Sequence, residues 1–516
     1  MRQLVVAIDA CEWTLVRRWA DAGKLPTFAR LLAEGASGSL TTTAGQLPDT
    51  VWSCVYGGRN PATFEKYFYV QYDPGTGDLR HVRDDAFTTR PFWDVLSEAG
   101  RTVGVFDVVK HPASRAIRGF HVANWGAHAT KTPRASTPAA LLPALTAAFG
   151  AHPVGDCDAV DATPRSRRDL RQRVLAGVRL RGAVLRHLMQ HEPWDVLVAG
   201  FSEPHCIGHH FWHRMDAARP PDQGVHADGL ADSIEQVYRA MDAEIGSLVA
   251  LAGPDTLVLA VSGHGMGPLR HASWHLPEIL DRLGFGEPGT RANGASSAAP
   301  RAARSNHWRT LKRVVPGRLQ YAIKNRLPQR LQDELLFRWY AGERDWRRRR
   351  AFAVPNNDSV GAIRLNVRGR DRFGTVAPED YDRLVAEITA ELLALRDPAT
   401  RRPVVRRVTK TREAFTGSFL DGLPDLTVAW DASFPWRAVT SARLGTLTLR
   451  DQDGRSGGHT DHGFVIVAGP GVPRGVALDA CSIYDIAPTI LRAADVALPS
   501  ELEGRPLPIF NSAAMR

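Results

Sequence analysis

Four histidines crowd into the twelve residues "SEPHCIGHHFWH" from Ser202 to His213. His205 and His209 stand four apart, a spacing that puts two imidazoles on one side of a helical turn and suits Zn²⁺. Other residues of metal-ligand type lie far away along the chain. Asp9 closes "LVVAIDA", His264 sits in "SGHGM", and His459 and His462 sit in "GGHTDHG". A single histidine beside a strand has a structural role more often than a chemical one. Several such residues at separate strand ends are hard to explain except as halves of one divalent-metal centre.

Those ends must be brought together by a sheet. "LVVAIDA" (4–10), "TVGVFDVV" (102–109), "WDVLVAGFSE" (194–203), "DTLVLAVSGHG" (255–265) and "HGFVIVAGPG" (462–471) are near-continuous apolar runs of strand length. Helical patterns separate them, such as "SRRDLRQRVLAGVRLRGAVLRHLMQ" and "DSIEQVYRAMDAEIGSLVALAG". The alternation predicts an α/β fold: a doubly wound, mostly parallel sheet with helices on both faces. In such sheets functional residues collect at the carboxyl ends of the strands.

The chain has 516 residues, 44% hydrophobic and 23% charged, an ordinary globular balance. Five irregularly spaced cysteines, with no CxxC, exclude a disulfide framework and point to a reducing compartment. The start "MRQLVVAIDA" carries no apolar leader, and no run approaches the roughly 18–20 apolar residues of a membrane span, so a cytoplasmic location is expected. The net charge of +10 is local. Residues 301–350 hold 15 Lys and Arg against 4 Asp and Glu, leaving the rest near neutrality. That excludes a general nucleic-acid binder. Residues 288–306, rich in Gly, Ala, Ser and Arg, read as a linker. The expected organisation is a catalytic domain of 1–287 and 441–516, interrupted by an insertion or cap at 288–440.

The ordered motifs resemble the alkaline phosphatase superfamily, and within it the type I phosphodiesterase/nucleotide pyrophosphatase group. The likeness lies in "AIDACEWTLVRRWADAGKLPTFARLLAEGASGSL", "VWSCVYGGRNP", "VSGHGMGP" and "GGHTDHGFVIVAGPGV" followed by "IYDIAPTIL". It implies a metal-dependent phosphoester hydrolase of phosphodiesterase or pyrophosphatase type acting on a phosphorylated small molecule. The cofactor implied is zinc, one or two ions, with Mn²⁺ or another divalent metal as the substitute. One ion would take His205, His209 and His459 at about 2.0–2.1 Å. The other would take Asp9 and His264, with a nucleophile between them.

Three residues depart from the group's pattern. His205 stands where the group has Asp. Gly263 stands where it has a second-metal Asp, so restoring aspartate there is expected to raise metal content, unless Asp461 or Asp49 compensates. Pro48 falls at the ungapped nucleophile position, which moves the candidate to Thr50, with Asp49 as the helix N-cap. Glu203 is expected behind the ligands, Cys206 on the far side of the helix, and His210 and His213 packed or in solvent. A sulfatase is disfavoured, because "LPDTVWSC" lacks the C-x-P-x-R pattern. A phosphomutase or phosphomonoesterase of the same fold, and a catalytically degenerate phospho-ligand binder, are the alternatives. The arginines of 301–350 are read as a cap over an anionic substrate, with weak contact to an anionic membrane surface as the competing role. Oligomeric state is left open.

Overall fold

The computed structural model describes residues 1–83, 90–126, 132–155, 157, 163–215, 229–286, 327, 331, 346–450 and 454–509. The expected linker 288–306 and most of the basic segment lie outside the described residues.

The main sheet is built from β1 (Arg2–Ile8), β2 (Ala36–Thr41), β3 (Val103–Phe106), β4 (Gly119–Ala123), β5 (Ala135–Thr137), β6 (Val196–Phe201), β7 (Thr256–Ser262), β8 (Gly463–Ala468), β9 (Val476–Ala477) and β10 (Cys481–Ser482). Their order is β9-β2-β8-β7-β1-β6-β3-β4-β5, with β10 beside β2. The strands from β7 through β4 run parallel, whereas β8 runs antiparallel to both its neighbours. The five apolar runs correspond to β1, β3, β6, β7 and β8. The short strands β2, β4 and β5 carry too few large apolar residues for the pattern to reveal them.

Alternate residues of β1 serve two cores. Leu4, Val6 and Ile8 pack into the apolar layer on one face, and Val5 and Ala7 into the layer on the other. The sheet is therefore covered on both sides, as its unbroken apolar strands require. The helices Pro164–His191 and Ser233–Ala252 cover the first face; Val51–Gly57 and Ile486–Ala493 cover the second. All five cysteines are free and buried. Among the described residues no helix is long and apolar enough to cross a membrane.

A second, antiparallel sheet of Ala351–Ala353, Val360–Leu365, Leu426–Trp430 and Val405–Lys410 packs against the helix Tyr381–Leu393. Its apolar cluster also takes Leu276, Ile279 and Leu280 from before the expected 288–440 insertion and Leu444 and Leu447 from after it. The arginines at 347–350 serve this packing. Arg347 lies over the Phe373 ring at 4.9 Å, Arg349 pairs with Asp281, and Arg350 donates to the Gly284 carbonyl at 3.0 Å. Three of the four guanidiniums are thus engaged by neighbouring elements, which leaves Arg348 for the expected role in recognising a substrate.

One buried cation ties the sheet to the helix that follows β6. Arg181, fully buried on the helix Pro164–His191, donates to Asp107 just beyond β3 and to the Gly200 carbonyl in β6, both at 2.8 Å. It also donates to Glu203 at 2.8 Å and reaches the Ser202 hydroxyl at 3.3 Å. Glu203 meets His152 as well, at 3.0 Å. Burial opposes ionisation of Glu203, but Arg181 and His152 outweigh it and hold the carboxyl down at about 2. Breaking such a network strands a buried charge, which costs about 3–5 kcal/mol. Arg181→Ala is therefore expected to lose that much stability in chemical denaturation, with Arg181→Lys recovering only part of it.

Candidate metal centre

The helix Glu203–Phe211 starts two residues after β6, with Pro204 in its first turn. The i, i+4 spacing places the Nε2 atoms of His205 and His209 3.1 Å apart. Tetrahedral ligands about 2.0–2.1 Å from one zinc lie roughly 3.3 Å from each other, so this separation fits a shared ion. His459 completes the group, its ring 5.0 Å from His205 and 5.1 Å from His209, and ligand-type atoms of the three lie within 4.8 Å of one another.

His459 reaches this place because β8 runs against the parallel strands. Residues preceding β8 therefore sit at the carboxyl ends of β1, β6 and β7. Gly457–Thr460 forms a two-stranded ribbon with Gly265–Pro268, His459 opposite Met266. Glycines let helix and ribbon touch. A Cβ at Gly457 would stand 2.2 Å from the Gly208 carbonyl oxygen. The same approach brings His209 Nδ1 to the Gly457 carbonyl at 2.7 Å. A carbonyl only accepts, so His209 carries its proton on Nδ1 and turns the Nε2 lone pair towards His205. The Nε2 of His459 is buried with no hydrogen-bond partner among the described residues. Burial, reinforced by His264, His209, Lys110 and Arg455, pushes His459 well below the usual histidine range and keeps it neutral. Three converging imidazoles, one with its lone pair pre-oriented and one with an orphaned ring nitrogen, are a donor set that fits a divalent ion. His459 Nδ1 lies 3.4 Å from Asn357 Nδ2, a donor, so ligation through Nε2, which puts the ring proton on Nδ1, requires that amide to turn away or present its oxygen.

Asp9 and His264 do meet in the same place. His264 Nε2 lies 3.2 Å from Asp9 Oδ1, and the His264 ring lies 4.3 Å from that of His459, tilted by 33°. The same carboxylate oxygen accepts from Trp52 Nε1 at 2.7 Å. Trp52 therefore competes with a second ion for that oxygen. Gly263 does not leave room for a missing carboxylate: a Cβ there would sit 2.4 Å from Val51 Cγ1. The proposed compensators are engaged elsewhere. Asp49 pairs with Lys110, and Asp461 takes a two-pronged contact from Arg406 at 2.7 and 3.0 Å.

Thr50, not Asp49, is the residue that precedes the helix Val51–Gly57, and Asp49 lies in a short turn, Pro48–Thr50. The Thr50 side chain is fully buried. Its hydroxyl donates to the Leu47 carbonyl at 2.7 Å and lies 3.2 Å from that of Thr43. Cys206, expected on the far side of its helix, instead forms a second close group with Cys157 and His205. His210 is buried, and His213 contacts the Ser456 hydroxyl at 2.8 Å.

Sequence reasoning missed Glu12, the brace of the ribbon. Its buried carboxylate accepts from the Met266 amide at 3.2 Å and the Thr460 hydroxyl at 3.0 Å, one from each ribbon strand. It also accepts from Thr14 and from His462 Nδ1 at 3.0 Å. An acid in "DACEW" carries no periodic or spacing signal, so nothing in the sequence marks it. Trp52 was quoted only as part of a motif, and Lys110 and Asn357 lie in loops without one.

The type I phosphodiesterase/nucleotide pyrophosphatase family model matches residues 3–464. The chain belongs to that family of phosphoester hydrolases, within the alkaline phosphatase superfamily. A phosphonoacetate hydrolase from Sinorhizobium meliloti 1021, solved with phosphonoformate, superposes with a TM-score of 0.52 at 16% identity over 96% of both chains. The same enzyme with phosphonoacetate gives 0.51 at 16% identity, again over 96% of both. Human ectonucleotide pyrophosphatase/phosphodiesterase 5 gives 0.45 at 12%, covering 97% of this chain and 96% of its own. No curated protein matches the chain.

Two expectations follow. The hydrogen bond to Glu12, against the opposing effect of burial, raises the affinity of His462 for its proton above the usual 6.5. A raised pKa stabilises the fold below the unfolded value and stops doing so as pH climbs through the folded one. The melting-temperature deficit of His462→Gln should therefore be largest near pH 6 and shrink towards pH 8.5. Gly263→Asp alone should destabilise the protein without raising metal content. Joined to Val51→Ala, which clears the space, it should bind more metal per chain by elemental analysis.

Proposed function

We propose that the protein hydrolyses phosphoesters at a divalent-metal centre held by His205, His209 and His459, with zinc as the preferred ion. The carrying observation is the convergence of three imidazoles from a helix and a ribbon some 250 residues apart in sequence, one with its lone pair already aimed. An ion bound there would neutralise phosphoryl charge and lower the pKa of an attacking group. Asp9 and His264 form the second half of the site, weakened by the Trp52 bond and by Val51 at Gly263.

Lys110 adds positive charge beside the phosphoryl position. Its charge bears on His459, and Asp49 fixes its ammonium group. Attack is assigned to solvent rather than to Thr50. The Thr50 proton already lies on the Leu47 carbonyl, and removing it would leave two oxygens facing each other at 2.7 Å. Binding of a phosphorylated ligand without turnover is the second reading, favoured by Pro48 and by the space that Val51 fills.

Metal analysis of the purified protein, with turnover of bis-p-nitrophenyl phosphate and p-nitrophenyl phosphate, tests this. The expected result is close to one zinc per chain, preference for the diester, and loss of both metal and turnover in His209→Ala. Thr50→Ala should keep its metal and at least about a tenth of wild-type kcat, whereas removing a true nucleophile costs several orders of magnitude. Metal retained with no turnover in that variant would reassign attack to Thr50. Metal and ligand binding without turnover in the wild type would establish the second reading.

A further inference from the structure

The strand Val405–Lys410 is the edge of the second sheet, and its pairing with Leu426–Trp430 slips in register between Val405 and Arg407. In a regular strand Arg406 and Arg407 would point to opposite faces. A bulge re-aims side chains. Here both guanidiniums approach the same carboxylate in the turn before β8: Arg406 grips Asp461 through two hydrogen bonds, and Arg407 Nη2 stands 3.9 Å from it. Asp461 is two residues beyond His459. The third wall is the loop at Gly45, where a Cβ would meet Arg407 Nη2 at 2.9 Å, Asp461 Oδ2 at 3.2 Å and Arg406 Nη2 at 3.7 Å.

The two arginines face one aspartate, so one positive charge is left over. Arg406 consumes both carboxylate oxygens. Arg407 is too distant for a hydrogen bond to Asp461; its Nη2 lies 3.3 Å from the Gln46 amide oxygen, a neutral partner that leaves the charge unbalanced, and about half of its side chain is exposed. We propose that Arg407, held in place by the Arg406–Asp461 pair and the Gly45 loop, is a specificity residue that binds a second anionic group on the substrate, a phosphate or a carboxylate remote from the phosphorus that reacts. This rests on the hydrolase reading for the position of the first phosphoryl group. The guanidinium fork suits either anion, and the absence of a side chain at Gly45 leaves the approach open.

Calorimetric titration of the metal-loaded protein tests it without relying on turnover. Pyrophosphate is compared with orthophosphate, and phosphonoacetate with methylphosphonate, in the wild type, Arg407→Gln and Arg407→Lys. In the wild type at least one two-anion probe should bind about tenfold tighter than its one-anion partner, a gain that shrinks as salt rises. Arg407→Gln should cut that ratio to within about threefold while changing the one-anion affinity less than about twofold, and Arg407→Lys should restore part of it. Dependence of only the pyrophosphate ratio on Arg407 identifies a phosphate, and of only the phosphonoacetate ratio a carboxylate. An unchanged ratio in Arg407→Gln overturns the proposal. Loss of orthophosphate binding in the wild type would instead overturn the phosphoester reading, and the two failures are distinct.

Discussion

The Nε2 atoms of two imidazoles, 3.1 Å apart in a buried site, set the terms for the rest of the molecule. His209 has given its proton to the far side of its ring, so its lone pair faces His205, while the nearby His459 keeps a buried nitrogen without a hydrogen bond. Polar atoms arranged in this way are costly to bury, and a protein adopts the arrangement only where surrounding structure enforces it. The scaffold reads as a set of devices that hold the rings against that cost.

Two buried charges do most of the holding, one for each half of the cluster. Arg181 fastens the ends of β3 and β6 to Glu203, and so fixes the start of the helix that carries His205 and His209. Glu12 fastens the loop after β1 to both ribbon strands, and so fixes the segments that carry His264 and His459. Neither side chain belongs to the ring cluster. Each is positioned by the polarity of the sheet, which sends β1, β3, β6 and β7 towards one edge and feeds β8 back from it.

Much of this was legible in the sequence, for physical reasons. Strands buried on both faces are unbroken apolar runs, so β1, β3, β6, β7 and β8 stood out, and Asp9, His205, His209, His264 and His459 stood at their ends. Their convergence follows from sheet polarity alone. What the sequence withheld was contact between non-periodic residues. Val51 filling the space beside Gly263, Trp52 occupying Asp9 and the Thr50 hydroxyl turning inward are packing outcomes with no pattern along the chain. The arginines show the same limit. Composition pointed to 301–350, whereas the arginines that grip Asp461, two residues beyond His459, lie on an irregular edge strand outside that segment.

The antiparallel strand β8 lies between β2 and β7, and it is made long after either of them. Two hundred residues separate the end of β7 from the start of β8. At synthesis rates of about 5–20 residues per second, the ribosome needs some 10–40 s to supply it. Through that interval the nascent sheet has a gap, with the hydrogen-bonding edges of β2 and β7 both unpaired. Such edges recruit other chains. The strand that follows His459 is therefore also the one that covers both of these edges, and completion of the ring cluster coincides with the filling of that gap.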